Sequence, residues 1–187
     1  DYEMNSGKRI EYSKAPPSGR RVAIIGGGPA GLTAAFYLTR LGHKCKIYDM
    51  MPKLGGMIRY GIPQYRLPKD EVLDFEIQSI LDMGVDVAYE SKLGEDYTLD
   101  SLRDEGYDAI FIAIGAWGSR TMRIDGEDLE GVSPGTYFLR DRGLGLETPV
   151  GDHVVIIGGG NTAIDAARTS WRLGAKEVTV LYRRGRT

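Results

Sequence analysis

The chain has 187 residues, enough to bury a substantial core, and a formal net charge of −2, which argues against a general polyanion-binding surface and so against nucleic acid as a partner. It holds a single cysteine, Cys45, which excludes an intrachain disulfide, a CxxC redox pair and a four-cysteine cluster. No apolar run approaches the roughly 20 residues needed to cross a bilayer, and residues 1–19 carry no secretory core, so no membrane partner and a cytoplasmic location are expected.

The first predicted element is an apolar strand, Val22 to Ile25, running into the cluster Gly26-Gly27-Gly28-Pro29-Ala30-Gly31-Leu32 and then a helix. That order places a pyrophosphate on backbone N–H groups at a helix N-terminus. Gly26 makes the tight turn, Gly28 lets the main chain approach phosphate, and Gly31 lets the helix pack closely on the strand. Gly42 suits the helix C-cap, and a second strand, Cys45 to Tyr48, ends at Asp49. A carboxylate there accepts hydrogen bonds from an adenosine ribose and repels a 2′-phosphate, so FAD or NAD(H) is expected. Cys45 is read as a core residue of its strand.

The next stretch, Asp49 to Pro68, has three prolines and three glycines in twenty residues and is expected to be a long functional loop with little helix or strand. Gly55 and Gly56 let main chain lie against a ring or a phosphate. Arg66 could contact phosphate or a flavin carbonyl, and Arg59 is as readily a surface charge. Lys69 to Met83 reads as an amphipathic helix closed by Gly84. Val85 to Tyr89 reads as a strand, and Leu99 to Glu105 as a short helix capped by Asp100 or Thr98. Ala109 to Ile114 is expected to be a buried strand, with Gly115 allowing close approach of a cofactor. Trp117 to Gly151, rich in Gly, Pro and charge, suits a crossover, and Trp117 itself reads as packing.

The opening signature then recurs. Val154 to Ile157 leads into Gly158-Gly159-Gly160-Asn161-Thr162-Ala163, a helix whose pattern runs through Ile164, Ala167, Arg168, Ser170, Trp171 and Leu173 to Gly174, and a strand from Val178 to Tyr182. One G-x-G-x-x-G would be weak evidence; its repetition with matched flanks is strong. Asp49 aligns with Tyr182, and Arg183 and Arg184 follow. Two guanidinium groups in place of a carboxylate favour a phosphorylated ribose, hence NADP(H). The alternative is a solvated basic tail formed by Arg183, Arg184 and Arg186.

The segments GGGPAGL, YDMMPKLGGMIRYGIPQYRLP, FIAIGAW, GGGNTAIDAARTSWRLGA and VTVLYRR together resemble the small, NADPH-oxidising subunit of glutamate synthase. They are similar, too, to the flavin portion of dihydropyrimidine dehydrogenase, and the resemblance runs from Arg20 to Arg184. It implies an α/β fold of two Rossmann-like dinucleotide-binding units, FAD type then NADPH type, the second incomplete. The implied layout is an extension over 1–19, the FAD domain over 20–118, a crossover over 119–150 and part of the NADPH domain over 151–187.

Implied FAD contacts are Gly26, Gly28, Pro29, Ala30, Gly31, Leu32, the run from Asp49 through Met50, Lys53, Leu54, Gly55 and Gly56 to Met57, and Arg66, with Leu93 and Gly115 beside the flavin half. Implied NADPH contacts are Gly158, Gly159, Gly160, Asn161 and Thr162 at the pyrophosphate and Arg183 with Arg184 at the 2′-phosphate. Asp165 fits the family pattern, orienting Asn161, capping the helix or standing solvated. Hydride passes directly from NADPH to FAD, so neither a catalytic side chain nor a metal site is assigned. Electrons then leave for a partner subunit, an iron–sulfur protein or a diffusible acceptor. The family continues beyond the position of Thr187 and begins with a cysteine-rich region, so the chain reads as truncated. A non-catalytic nucleotide-binding module or redox-state sensor is the competing reading, and a colourless NAD-type dehydrogenase is disfavoured by GIPQYRLP.

Overall fold

The structure is a computed structural model and is described for residues 10–185, so Arg186 and the first nine residues of the N-terminal extension lie outside the described residues. The chain divides into two compact units, one comprising 1–58 and 67–116 and the other 59–66 and 117–187.

The first unit is a four-stranded parallel sheet with strand order β3-β2-β1-β4. Its strands are β1 (Arg21–Ile25), β2 (Lys44–Tyr48), β3 (Asp86–Ala88) and β4 (Ala109–Ile112). Helix α1 (Pro29–Arg40) connects β1 to β2, which pair in parallel from Arg21↔Lys44 to Ile25↔Tyr48. Because strand side chains alternate between faces, this register sorts the core into two layers. Val22, Ile24, Cys45 and Ile47 pack with Leu32 and Ala35 of α1, while Ala23, Ile25 and Tyr48 pack with Tyr97, Leu102 and Tyr107. Ile24 and Ile47, directly paired and fully buried, each contribute about 1.5–3 kcal/mol of burial. Cys45 is buried in the same layer.

Several local expectations change. Residues 69–83 form a π-helical turn, Lys69–Leu73, followed by α3 (Asp74–Leu81), whose Ile77 enters the core. Helix α4 (Leu99–Asp104) is capped by Thr98, not Asp100: the Thr98 hydroxyl accepts from the Ser101 N–H at 3.1 Å, and the Ser101 hydroxyl accepts from the Thr98 N–H at 3.0 Å. The loop expected to lack secondary structure contains α2 (Gly56–Gly61), where Met57 to Tyr60 supply a helical turn between its glycine ends. Strand β4 is not buried. It ends the sheet order, and Phe111 and Ile112 are 43% and 54% exposed because among the described residues no further strand flanks it.

In the second unit, β5 (His153–Ile157), α6 (Asn161–Arg172) and β6 (Glu177–Leu181) form a parallel βαβ element with register His153↔Glu177 to Ile157↔Leu181. The stretch expected as crossover contains α5 (Gly135–Gly143), which packs on α6. A Cβ at Gly135 would lie 3.6 Å from Thr162 Cγ2 and 3.8 Å from Ala166 Cβ, so the contact is one of small groups. Helix α5 thus covers part of the buried face of α6. Asp165, Ala166, Thr169 and Ser170 are buried, so of the expected pattern Ser170 is buried whereas Ile164 and Trp171 are 43% and 61% exposed. Trp117 packs against Tyr60 with ring centroids 5.8 Å apart. Among the described residues no helix is long and apolar enough to cross a membrane.

Candidate functional site: two dinucleotide cradles

Each glycine cluster folds into the same backbone shape. At the first, Gly26 has φ +104° and donates its N–H to Tyr48 O at 2.8 Å; at the second, Gly158 has φ +134° and donates to Leu181 O at 2.8 Å. Both φ values lie in the region that favours glycine. The N-caps match as well: Gly28 has φ −77°, ψ −174°, and Gly160 has φ −82°, ψ 175°. Neither N-cap supplies a side-chain hydrogen bond, and neither helix carries an acid in its first turn. The first N–H groups of α1 and α6 are therefore left for an outside acceptor, on the positive end of the helix dipole. Around the position of a Cβ at Gly160 there is open space, and at Gly28 only Gly56 Cα comes near, at 3.7 Å. Main chain can approach an anion at both places.

In the first unit the predicted residues Gly26 to Leu32, Asp49 and Leu54 to Gly56 come together. Gly55 donates to Gly27 O at 2.8 Å, and a Cβ at Gly56 would stand 2.8 Å from Gly28 Cα, so the two glycine runs lie main chain to main chain. Gly27, absent from the predicted contacts, is the pivot: its N–H donates to Asp49 Oδ2 at 2.5 Å, and a Cβ there would meet Leu54 Cδ2 at 2.2 Å. The signal was present, since the middle glycine recurs as Gly159. Asp49 Oδ1 accepts from the Met51 N–H at 2.8 Å, and Asp49 O accepts from the Ser91 N–H at 2.9 Å, bringing the chain after β3 alongside. Leu93 is half-buried and bridges to Tyr97. Met50, Lys53 and Gly115 are exposed, and Met57 is half-buried in α2.

Asp49 is 6% exposed, and burial pushes its carboxyl above the usual carboxylate range, against the opposing hydrogen bonds from Met51 and Gly27. Nearby, burial and the Asp49 charge hold the Tyr97 hydroxyl up at about 12, so it stays neutral. A carboxyl whose folded value exceeds its unfolded value of about 4 gives stability that is full below that value and lost as pH rises through the folded one. The ligand-free protein is accordingly expected to lose stability as pH climbs across that window, and Asp49→Asn to flatten the loss. Melting temperatures measured across pH test this, and an unchanged slope in the variant would contradict it.

In the second unit Tyr182 takes the place that Asp49 holds in the first. A Cβ at Gly159 would lie 2.7–2.9 Å from three carbons of the Tyr182 ring, just as one at Gly27 would lie 2.8 Å from Asp49 Oδ2. The ring thus lies against the glycine main chain, with Arg183 and Arg184 exposed immediately after it. Asn161 and Thr162 are exposed in the first turn of α6. Asp165 neither caps α6 nor stands in solvent. Its side chain is 5% exposed and its Oδ2 sits 2.6 Å from Nη1 of Arg66, a residue that groups with the second unit. Sequence reasoning missed this pair because its members lie 99 positions apart.

The pyridine nucleotide-disulphide oxidoreductase family model matches residues 20–187. The chain is 43% identical over 194 residues to the NADPH-Fe(3+) oxidoreductase subunit beta of Geobacter sulfurreducens, covering 100% of this chain and 28% of that one. It is 37% identical over 195 residues to the glutamate synthase [NADPH] small chain of Escherichia coli, covering 98% and 41%. The chain therefore spans well under half the length of these relatives. The solved structure of Mycobacterium tuberculosis FprA in complex with NADPH shares the fold with a TM-score of 0.75 at 24% identity, over 91% of this chain and 44% of that one. With its parallel α/β architecture, its paired glycine cradles and a family match over nearly its whole length, this chain belongs to the pyridine nucleotide-disulphide oxidoreductase family.

Proposed function

We propose that the chain is the dinucleotide-handling part of an NADPH-dependent FAD oxidoreductase of the glutamate synthase small-chain kind, working in the cytoplasm. The observation that carries this reading is the contrast between two otherwise matching cradles. Both present an uncapped glycine N-cap of the same backbone shape, yet one ends in a buried carboxylate, Asp49, and the other in Tyr182, Arg183 and Arg184. The first suits the adenosine ribose of FAD; the second suits a 2′-phosphate.

In this reading 20–118 is the FAD domain, apart from the segment 59–66 that groups with the second unit, 119–150 is the crossover and 151–187 the NADPH-binding portion. Gly26 to Leu32 and Leu54 to Gly56 line the FAD pyrophosphate and Asp49 takes the ribose, with Met50, Lys53, Met57, Leu93 and Gly115 at the periphery. Gly158 to Thr162 receive the NADPH pyrophosphate. The bound cofactors supply hydride chemistry, and the protein's part is to bind and orient them. Electrons go on to a partner subunit or an iron–sulfur protein.

The purified chain, given FAD and then NADPH without oxygen, is expected to hold the flavin and lose its visible absorbance. A yellow protein that NADPH does not bleach would favour a nucleotide-binding module without turnover. A chain that retains no flavin would overturn the assignment of the first cradle.

A further inference from the structure

Within the second unit, the short segment 59–66 is fastened to α6 by two neighbouring side chains. Arg66 Nη1 meets Asp165 Oδ2 at 2.6 Å, and the Tyr65 hydroxyl donates to the Asp165 main-chain oxygen at 3.4 Å. The Tyr65 ring also carries two guanidinium groups of α6, that of Arg172 3.8 Å from its centroid and that of Arg168 5.0 Å away. The helix held in this way is the one whose N-terminus forms the second cradle.

Asp165 stands in the second turn of α6, five residues beyond the N-cap Gly160, or about 7.5 Å along the axis. No acid occupies the first turn, so Asp165 is the acid of this helix nearest the cradle. An almost fully buried carboxylate is poorly screened by salt, and its field opposes an anion bound at the helix end. Arg66, 41% exposed, brings the compensating charge from a distant part of the sequence.

From this geometry we infer that Arg66 is a charge-compensating positioning residue for the second cradle: by pairing with Asp165 it allows a helix with a buried acid in its second turn to receive a dinucleotide pyrophosphate. Tyr65, gripped by Arg168 and Arg172, keeps the segment in place. The inference rests on the reading that the second unit binds a pyridine dinucleotide. It differs from the role of Arg183 and Arg184, because a pyrophosphate is common to NADPH and NADH whereas the 2′-phosphate is not.

The test is calorimetric titration of the full chain with NADPH and with NADH. Arg66→Gln is expected to weaken both by about tenfold, a difference of about 1.4 kcal/mol. Arg66→Lys, which keeps the charge, is expected to stay within about threefold of the parent. The double variant Arg66→Gln with Asp165→Asn, which removes both charges and keeps the shapes, is expected to regain most of the loss, whereas a merely structural pair would leave it as weak as the single variant. Parent-like binding by Arg66→Gln, or a double variant that recovers nothing, overturns the inference. If Arg66→Gln fails to fold, Arg66→Lys decides, and a tenfold loss in it overturns the charge role. A parent chain that binds neither nucleotide overturns the dinucleotide reading of the second unit, and this inference with it.

Discussion

Replacing Arg183 and Arg184 together with alanine is expected to weaken NADPH binding by about a hundredfold while leaving NADH within a few-fold. A hydrogen bond to a charged group contributes about 1.5–3 kcal/mol, and both side chains are exposed, so the lower figure applies. Two such losses come to about 3 kcal/mol, or roughly two powers of ten. The selectivity follows from position. Tyr182 lies on Gly159 where Asp49 lies on Gly27, so this strand end offers no carboxylate to an unphosphorylated ribose and two cations to a phosphorylated one. Parallel titrations with NADPH and NADH decide the matter. Equal losses for both would remove the 2′-phosphate role and leave the arginines as a solvated pair.

Gly31→Ala is expected to destabilise the first unit by about 3 kcal/mol or more, at the upper end of what overpacking usually costs, and to release FAD. A Cβ at Gly31 would stand 1.8 Å from Gly26 O and 3.0 Å from Gly26 C. Both are main-chain atoms of the turn that shapes the cradle, so no side-chain rotation relieves the clash, and α1 must lift from β1. The second cradle provides a natural control. There the equivalent residue is Ala163, so the second cradle already carries a methyl group at this position. Denaturant unfolding and flavin retention are the measurements. A variant as stable as the parent and equally yellow would refute the close-packing account.

Much of the site could be read from residue order because its determinants are local. The turns at Gly26 and Gly158 need the left-handed backbone that glycine adopts, and the helices beginning at Pro29 and Asn161 have no residue able to cap them from the side chain. The strands followed from apolar runs, Val22 to Ile25 and Cys45 to Tyr48, whose side chains fill both layers of the core. What escaped prediction depended on distant partners. The buried face of α6 meets α5, itself concealed in a stretch whose glycines and prolines read as loop. The apolar run of β4 looked like a buried strand, but exposure is settled by a strand's place in the sheet and not by its composition. Arg66 sat among residues that point to a flavin loop, and no short-range pattern relates it to a carboxylate on another helix.

The interleaving of the two units has a practical consequence for dissecting the molecule. Since 59–66 belongs with 117–187 and is flanked on both sides by segments of the other unit, no single cut yields two self-sufficient pieces. Cleavage near residue 118 would carry Tyr65 and Arg66 away with the amino-terminal product and leave the carboxy-terminal one with an orphaned acid at Asp165. Limited proteolysis followed by separation should therefore give a carboxy-terminal fragment less robust than its secondary structure suggests, and supplying residues 59–66 as a peptide is the natural way to restore it.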